Sequence, residues 1–184
     1  MTILLALNFL ISNFQTDKLI KVEVTDNISM SVPSDFRPMT DDEIASKYFT
    51  TRRPLALFTD RNLLVDLGVN IATTQWDEKD FEIMMSFQKA NIFSLYDEVK
   101  ILDEGIKEVN GKKAAYFEFI STVKDDEDSF LKKGSIHKYT YIQYIMVSGK
   151  SLVFNFTCPS QYTQQWQATA SQIMNDIEIK GKIK

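Results

Sequence analysis

From Val99 to Thr157, β-branched and aromatic residues occupy both parities of a strand period, broken by two turn pairs, Asn110-Gly111 and Ser148-Gly149. An Asn-Gly pair accepts the positive φ angles of a tight hairpin turn, so this pattern predicts an antiparallel meander. The alternation changes near Asp103-Glu104-Gly105, which predicts a bulge at Gly105. Beyond the first turn, Ala115, Phe117, Phe119 and Val123 share one face, and Tyr116 and Ile120 the other. In the next strand Tyr139, Tyr141, Ile145 and Val147 oppose Ile136, Ile142, Tyr144 and Met146. Strands that are apolar on both faces belong in the middle of a sheet covered twice. The expectation is therefore an α+β fold: an α-β-α sandwich with a central antiparallel sheet.

The flanking segments supply the covers. Ile20, Val22 and Val24, then Ile28, Met30 and Val32, alternate with polar residues across the Asp26-Asn27 turn and predict a short hairpin. Thr40-Asp41-Asp42-Glu43 is a capping-box pattern opening a short helix. Leu55 to Phe58 and Val65 to Thr73 read as strands. Asp77 is placed to cap a helix over 78–95. In it, Phe81, Met84, Met85, Ile92 and Leu95 form one stripe, and Ile83, Phe87 and Ala90 a second; two stripes predict burial on more than one side. Ser160 is placed to cap a last helix, whose inner stripe is Tyr162, Trp166, Ala170, Ile173 and Ile177.

Composition narrows the functional classes. The 184 residues suit one domain over 19–184, preceded by an apolar segment over 1–18. A net charge of −4, with basic pairs only at Arg52-Arg53, Lys112-Lys113 and Lys132-Lys133, gives no field for nucleic acid. The first segment, rich in Leu, Ile and Phe from Ile3 to Phe14, has the length of a signal-peptide core and is too short for a stable membrane span. No Lys or Arg precedes Lys18. The reading adopted is a secretory signal that has lost its basic start, with a buried first helix or strand as the alternative. It places the domain in the periplasm or outside the cell; the alternative reading is cytoplasmic.

Candidate chemistry is sparse. There is one cysteine, Cys158, and one histidine, His137. Strand parity puts them on one face, with Cys158 opposite Tyr139 or Tyr141 and His137 at best a diagonal neighbour, too far to act as its base. The run Asp125-Asp126-Glu127-Asp128 lacks the spacing and central Gly of a calcium loop. No phosphate-binding, dinucleotide, zinc or nucleophile-elbow motif occurs. No catalytic residue, metal site or cofactor is therefore assigned. Two weaker candidates remain: Phe130 and Leu131, lying between Asp125-Asp126 and a basic pair, as a partner-binding loop tip, and Met84, Met85 and Phe87 as the lining of a ligand pocket between helix 78–95 and the sheet.

The run Ile28-Ser29-Met30-Ser31-Val32-Pro33-Ser34-Asp35-Phe36, the turn Asn110-Gly111-Lys112-Lys113-Ala114 and the last helix with Trp166, Ile173 and Ile177 resemble the PsbP-like superfamily over roughly residues 19 to 180. The resemblance implies an α-β-α sandwich and a role in assembly, stabilisation or binding rather than catalysis. The metal-binding His and acidic positions of the photosynthetic members find no counterpart in a chain with one His, and the charged surface residues of the family's Ran-binding import factor find no alignment, so neither activity transfers. The function expected is a non-catalytic exported domain that binds or stabilises a protein partner in the bacterial cell envelope. The alternative is a small-ligand or lipid carrier using the pocket beside helix 78–95.

Overall fold

A computed structural model describes residues 18–48, 52–125, 134–181 and 183. The apolar segment over 1–17, expected to be an export signal, lies outside the described residues. The meander forms as the turn chemistry requires. β6 (Glu98–Val109) and β7 (Lys112–Val123) join through Asn110 and Gly111 at φ 47° and 76°. β8 (Ile136–Val147) and β9 (Lys150–Pro159) join through Ser148 and Gly149 at φ 53° and 76°. Positive φ at both central residues is the hairpin turn that matches strand twist. β3 (Arg37–Pro38), β4 (Ala56–Thr59) and β5 (Asp66–Ile71) extend the sheet beyond β9, giving seven antiparallel strands in the order β3-β4-β5-β9-β8-β7-β6. The ladder slips at Leu102, between Ile101 and Asp103, and not at Gly105. Gly105 is in register with Tyr116, whose ring covers it: a Cβ there would stand 3.2 Å from the Tyr116 hydroxyl.

Both faces of the central strands are buried, as the double parity demands. One face carries Ala115, Phe117, Phe119, Tyr144 and Met146, packed by Phe81, Met84 and Ile92 of α2 (Phe81–Leu95). The other carries Tyr139, Tyr141, Ile145, Leu152, Phe154 and Phe156, packed by Trp166, Ala170, Ile173 and Met174 of α3 (Thr163–Asn175). The second cover is not helical throughout. β1 (Leu19–Thr25), β2 (Ile28–Pro33) and β10 (Glu178–Ile179) form a separate three-stranded sheet that adds Ile28, Met30 and Val32 to the same core.

Local details correct three expectations. α2 buries one side only: Ile83 is 63% exposed, Phe87 43% and Phe93 48%. A helix laid on the outside of a sheet has a single partner, so its second apolar stripe faces water. Asp77 does not cap it; its carboxylate pairs with Lys79 at 3.3 Å, and a single 3₁₀ turn over Glu78–Asp80 leads in instead. Likewise Ser160 provides no side-chain cap, and its carbonyl accepts the Thr163 hydroxyl at 2.6 Å. The capping box of α1 (Asp41–Lys47) is complete: Glu43 N–H donates to Thr40 Oγ1 at 3.3 Å, and Thr40 N–H to Glu43 Oε2 at 2.9 Å. Arg37 forks the same carboxylate at 2.6 and 2.8 Å and holds its pKa down at about 2.

Gly68 on β5 is required by space. A Cβ there would meet Asn155 Oδ1 at 2.5 Å and Leu57 Cδ1 at 3.2 Å. Gly68→Ala is expected to lower stability by about 1–2 kcal/mol through forced repacking. Most of that loss should vanish in an Asn155→Ala background, a coupling that urea denaturation of the double-mutant cycle would measure.

Candidate functional site

α2 does not cover its whole face of the sheet. Beneath its C-terminal half an open cleft of about 610 Å³ runs between helix and strands. Gln88, Asn91, Ile92 and Leu95 form the helical wall, continued by Tyr96. Phe119, Ser121 and Val123 of β7 lie opposite. The floor is the alternate residues of β8, Ile136, Lys138, Thr140, Ile142 and Tyr144, with Asn155 and Thr157 of β9. The two-residue period of a strand is what aims this set to one side.

Register orders the polar groups. Ser121 pairs with Lys138, and Thr140 pairs with Phe119 on one side and Thr157 on the other. Thr157 pairs in turn with Asp66, and Asp66 with Thr59. Asp66 is buried and fully engaged: Lys47 Nζ lies 2.6 Å from Oδ2, the Tyr48 hydroxyl donates to the same oxygen, and Thr59 Oγ1 donates to Oδ1 at 2.9 Å. Burial, then the Asp66 carboxylate, raises the Tyr48 pKa, so Tyr48 stays a neutral donor at the end of the cleft. The other polar side chains differ. Gln88, Asn91, Ser121, Lys138, Thr140, Asn155 and Thr157 make no side-chain hydrogen bond or ion pair among the described residues. Their donors and acceptors are left to water or to a ligand.

The residues singled out by sequence fall elsewhere. Met84 is fully buried in the helix–sheet core, Met85 is half-buried, and Phe87 lies on the outer side of α2 with its ring 5.5 Å from that of Trp76. None of the three lines the cleft, which begins one residue later, at Gln88. Asp125 Oδ2 accepts Gly134 N–H at 3.0 Å. Asp126, Phe130 and Leu131 lie outside the described residues. Cys158 is buried opposite Tyr139, and burial pushes its thiol up to about 12. His137 Nδ1 is 3.0 Å from the Thr122 hydroxyl. Among the described residues, no three His, Cys, Asp or Glu are grouped to hold a metal ion, and no helix is long and apolar enough to cross a membrane. The missed residues had a signal: Thr140, Asn155 and Thr157 are polar interruptions in otherwise apolar strands.

A second polar group lies across the sheet, against α3. Lys107 Nζ stands 5.2 and 5.3 Å from the ring centres of Tyr116 and Tyr141, and donates to the Tyr141 hydroxyl at 3.0 Å and to Asn175 Oδ1 at 2.6 Å. Burial lowers its pKa to about 8, against the raising effect of Asp103. The two hydrogen bonds and the two ring faces tie β6 to β8 and α3 through this one side chain.

With the geometry in hand, the fold can be matched. No protein-family model matches the chain, and no curated protein sequence matches it either. Solved structures do. The solution structure of cyanobacterial PsbP from Synechocystis sp. PCC 6803 superposes with TM-score 0.56 at 11% identity, over 89% of this chain and 93% of that one. LpqN of Mycobacterium tuberculosis, described as involved in cell envelope biogenesis, gives 0.58 at 12% identity over 89% and 91%. The Saccharomyces cerevisiae Ran-binding protein Mog1p gives 0.55 at 10% over 88% and 95%. At such identities the likeness is one of fold: the chain has the PsbP/Mog1 α+β architecture.

Two outcomes follow from these environments. Iodoacetamide at neutral pH should leave Cys158 unmodified in the native protein and alkylate it fully in urea, because thiolate is scarce when the pKa is near 12. For Lys107, the unfolded amine holds its proton up to roughly pH 10.4 while the folded one releases it near 8. Between those values the unfolded chain binds more protons, so stability rises with pH. The stability of wild type relative to Lys107→Met should therefore climb from pH 8 to pH 10 in chemical denaturation.

Proposed function

We propose that this chain is a non-catalytic domain that docks a protein partner in the bacterial cell envelope through the outer face of α2. The observation that carries the reading is the apolar stripe Ile83, Phe87 and Phe93, exposed at 63%, 43% and 48%. Contiguous apolar surface on one helix face costs solubility and marks an interaction site. Ala90 falls between these residues on the helix and keeps the stripe low enough for a partner to approach.

The neighbours support the class of role. One solved relative in fold is named for binding Ran and another for envelope biogenesis. The apolar stretch at the start of the chain supports an exported location.

Ile83→Glu should leave folding within about 0.5 kcal/mol, and Phe87→Glu within about 1.5 kcal/mol because it also gives up the ring contact with Trp76. Each should reduce recovery of the partner from envelope extract by tenfold or more. Gln172→Glu, on the exposed side of α3, should recover as much as wild type. Equal recovery with all three variants, read by quantitative mass spectrometry, overturns the assignment to α2.

A further inference from the structure

The cleft lies on the inner side of α2, opposite the stripe just described, and its chemistry is different. Its floor grades along β8 from Ile136, 54% exposed, through Lys138 and Thr140 to Tyr144, which is buried under the helix. From Lys138 to Tyr144 the strand advances about 20 Å. Charge enters this lining once only: Lys138 is cationic, and no carboxylate faces it among the lining residues. Asp66, paired with Thr157 across the sheet, is already neutralised by Lys47 at 2.6 Å. Lys138 itself makes no ion pair among the described residues. The walls beyond it are predominantly apolar, with Ile92 and Leu95 on the helix side and Phe119 and Ile142 on the sheet side.

We propose that the cleft between α2 and the sheet is a binding site for an amphiphilic monocarboxylate of medium chain length. The carboxylate is held at the mouth by Lys138, with the hydroxyls of Ser121 and Thr140 in the neighbouring register positions to donate to its second oxygen. The apolar chain runs inward along β8 beneath Ile92 and Leu95. A single ammonium flanked by hydroxyls matches a monoanion; a phosphate dianion calls for more cationic donors than this mouth supplies. A volume of about 610 Å³ falls within the usual range of small-ligand sites. The site is separate from the docking face, so either reading can fail alone.

The test uses the whole chain with three probes of one chain length: dodecanoate, dodecanol and dodecyltrimethylammonium, each below its micelle concentration. Calorimetry should show one site preferring dodecanoate to dodecanol by about fivefold, the scale of a partly exposed ion pair. The ammonium probe should bind most weakly. Lys138→Ser, at an exposed position, should remove the preference while leaving dodecanol binding unchanged. Methyl NMR shifts on titration should concentrate at Ile92, Leu95, Ile136 and Ile142. No binding of dodecanoate, an ammonium preference, an unaltered Lys138→Ser protein, or shifts confined to Ile83 each overturns the proposal.

Discussion

The architecture depends on one constraint: the central strands are apolar on both sides and must be covered twice. Phe117, Phe119 and Tyr144 point to one face, and Tyr139, Tyr141, Phe154 and Phe156 to the other, all essentially shut off from water. Burying a large apolar side chain is worth about 1.5–3 kcal/mol, so leaving either face bare would forfeit more than the net stability of a domain. Everything else follows from how the two covers are assembled. The α3 face receives a helix and a small three-stranded sheet, and its core is continuous. The α2 face receives a single helix.

That asymmetry leaves part of one face open. One helix cannot tile a face seven strands wide, and the part it leaves open over β7, β8 and β9 becomes the cleft. The strand positions there change character accordingly. Under α2 the inward residues are Phe117, Tyr144 and Met146; beyond it they are Ser121, Lys138, Thr140 and Thr157. The same strand is thus apolar where it is roofed and hydrogen-bonding where it is open. Asp66 is the exception that keeps this region stable: a carboxylate nearly excluded from solvent persists because Lys47, Tyr48 and Thr59 supply its partners.

Much of this was legible in the sequence, because it follows from local rules. The positive φ angles of Asn110-Gly111 and Ser148-Gly149 fix the hairpins, and a two-residue turn fixes which side chains share a face. Facing assignments for β7, β8 and β9 came out of parity alone, which put Cys158 opposite Tyr139 or Tyr141; the observed register selects Tyr139. The capping box of α1 needed only four residues. What local rules could not reach was the partner of each face. The two apolar stripes of α2 announce a helix with apolar residues around most of its circumference, but periodicity cannot say whether a second layer exists outside it. The slip at Leu102 rather than Gly105 shows the same limit: glycine licenses a bulge, yet here its bare Cα accommodates the Tyr116 ring.

The placement of the cleft residues carries a further lesson about polar interruptions. Thr140, Asn155 and Thr157 cost little as sequence noise in a strand, and each alone reads as a tolerated substitution. Registered across two strands they become one surface, because antiparallel pairing brings Thr140 level with Thr157 and Asn155 level with Ile142. Gly68 then fits that surface from β5, opposite Asn155, where any side chain would collide with the amide. A strand glycine normally weakens a sheet, and one kept here trades that loss for room beside a cleft-lining side chain. α2 is therefore a helix with work on two sides. Its inner face supplies the core at Phe81, Met84 and Ile92 and the cleft wall from Gln88 onward, while its outer face remains apolar at Ile83, Phe87 and Phe93. Small exposed hydroxyls, Ser86 and Ser94, interleave with those three, and it is the size of the apolar side chains set between them that a helix serving only as a lid would not require.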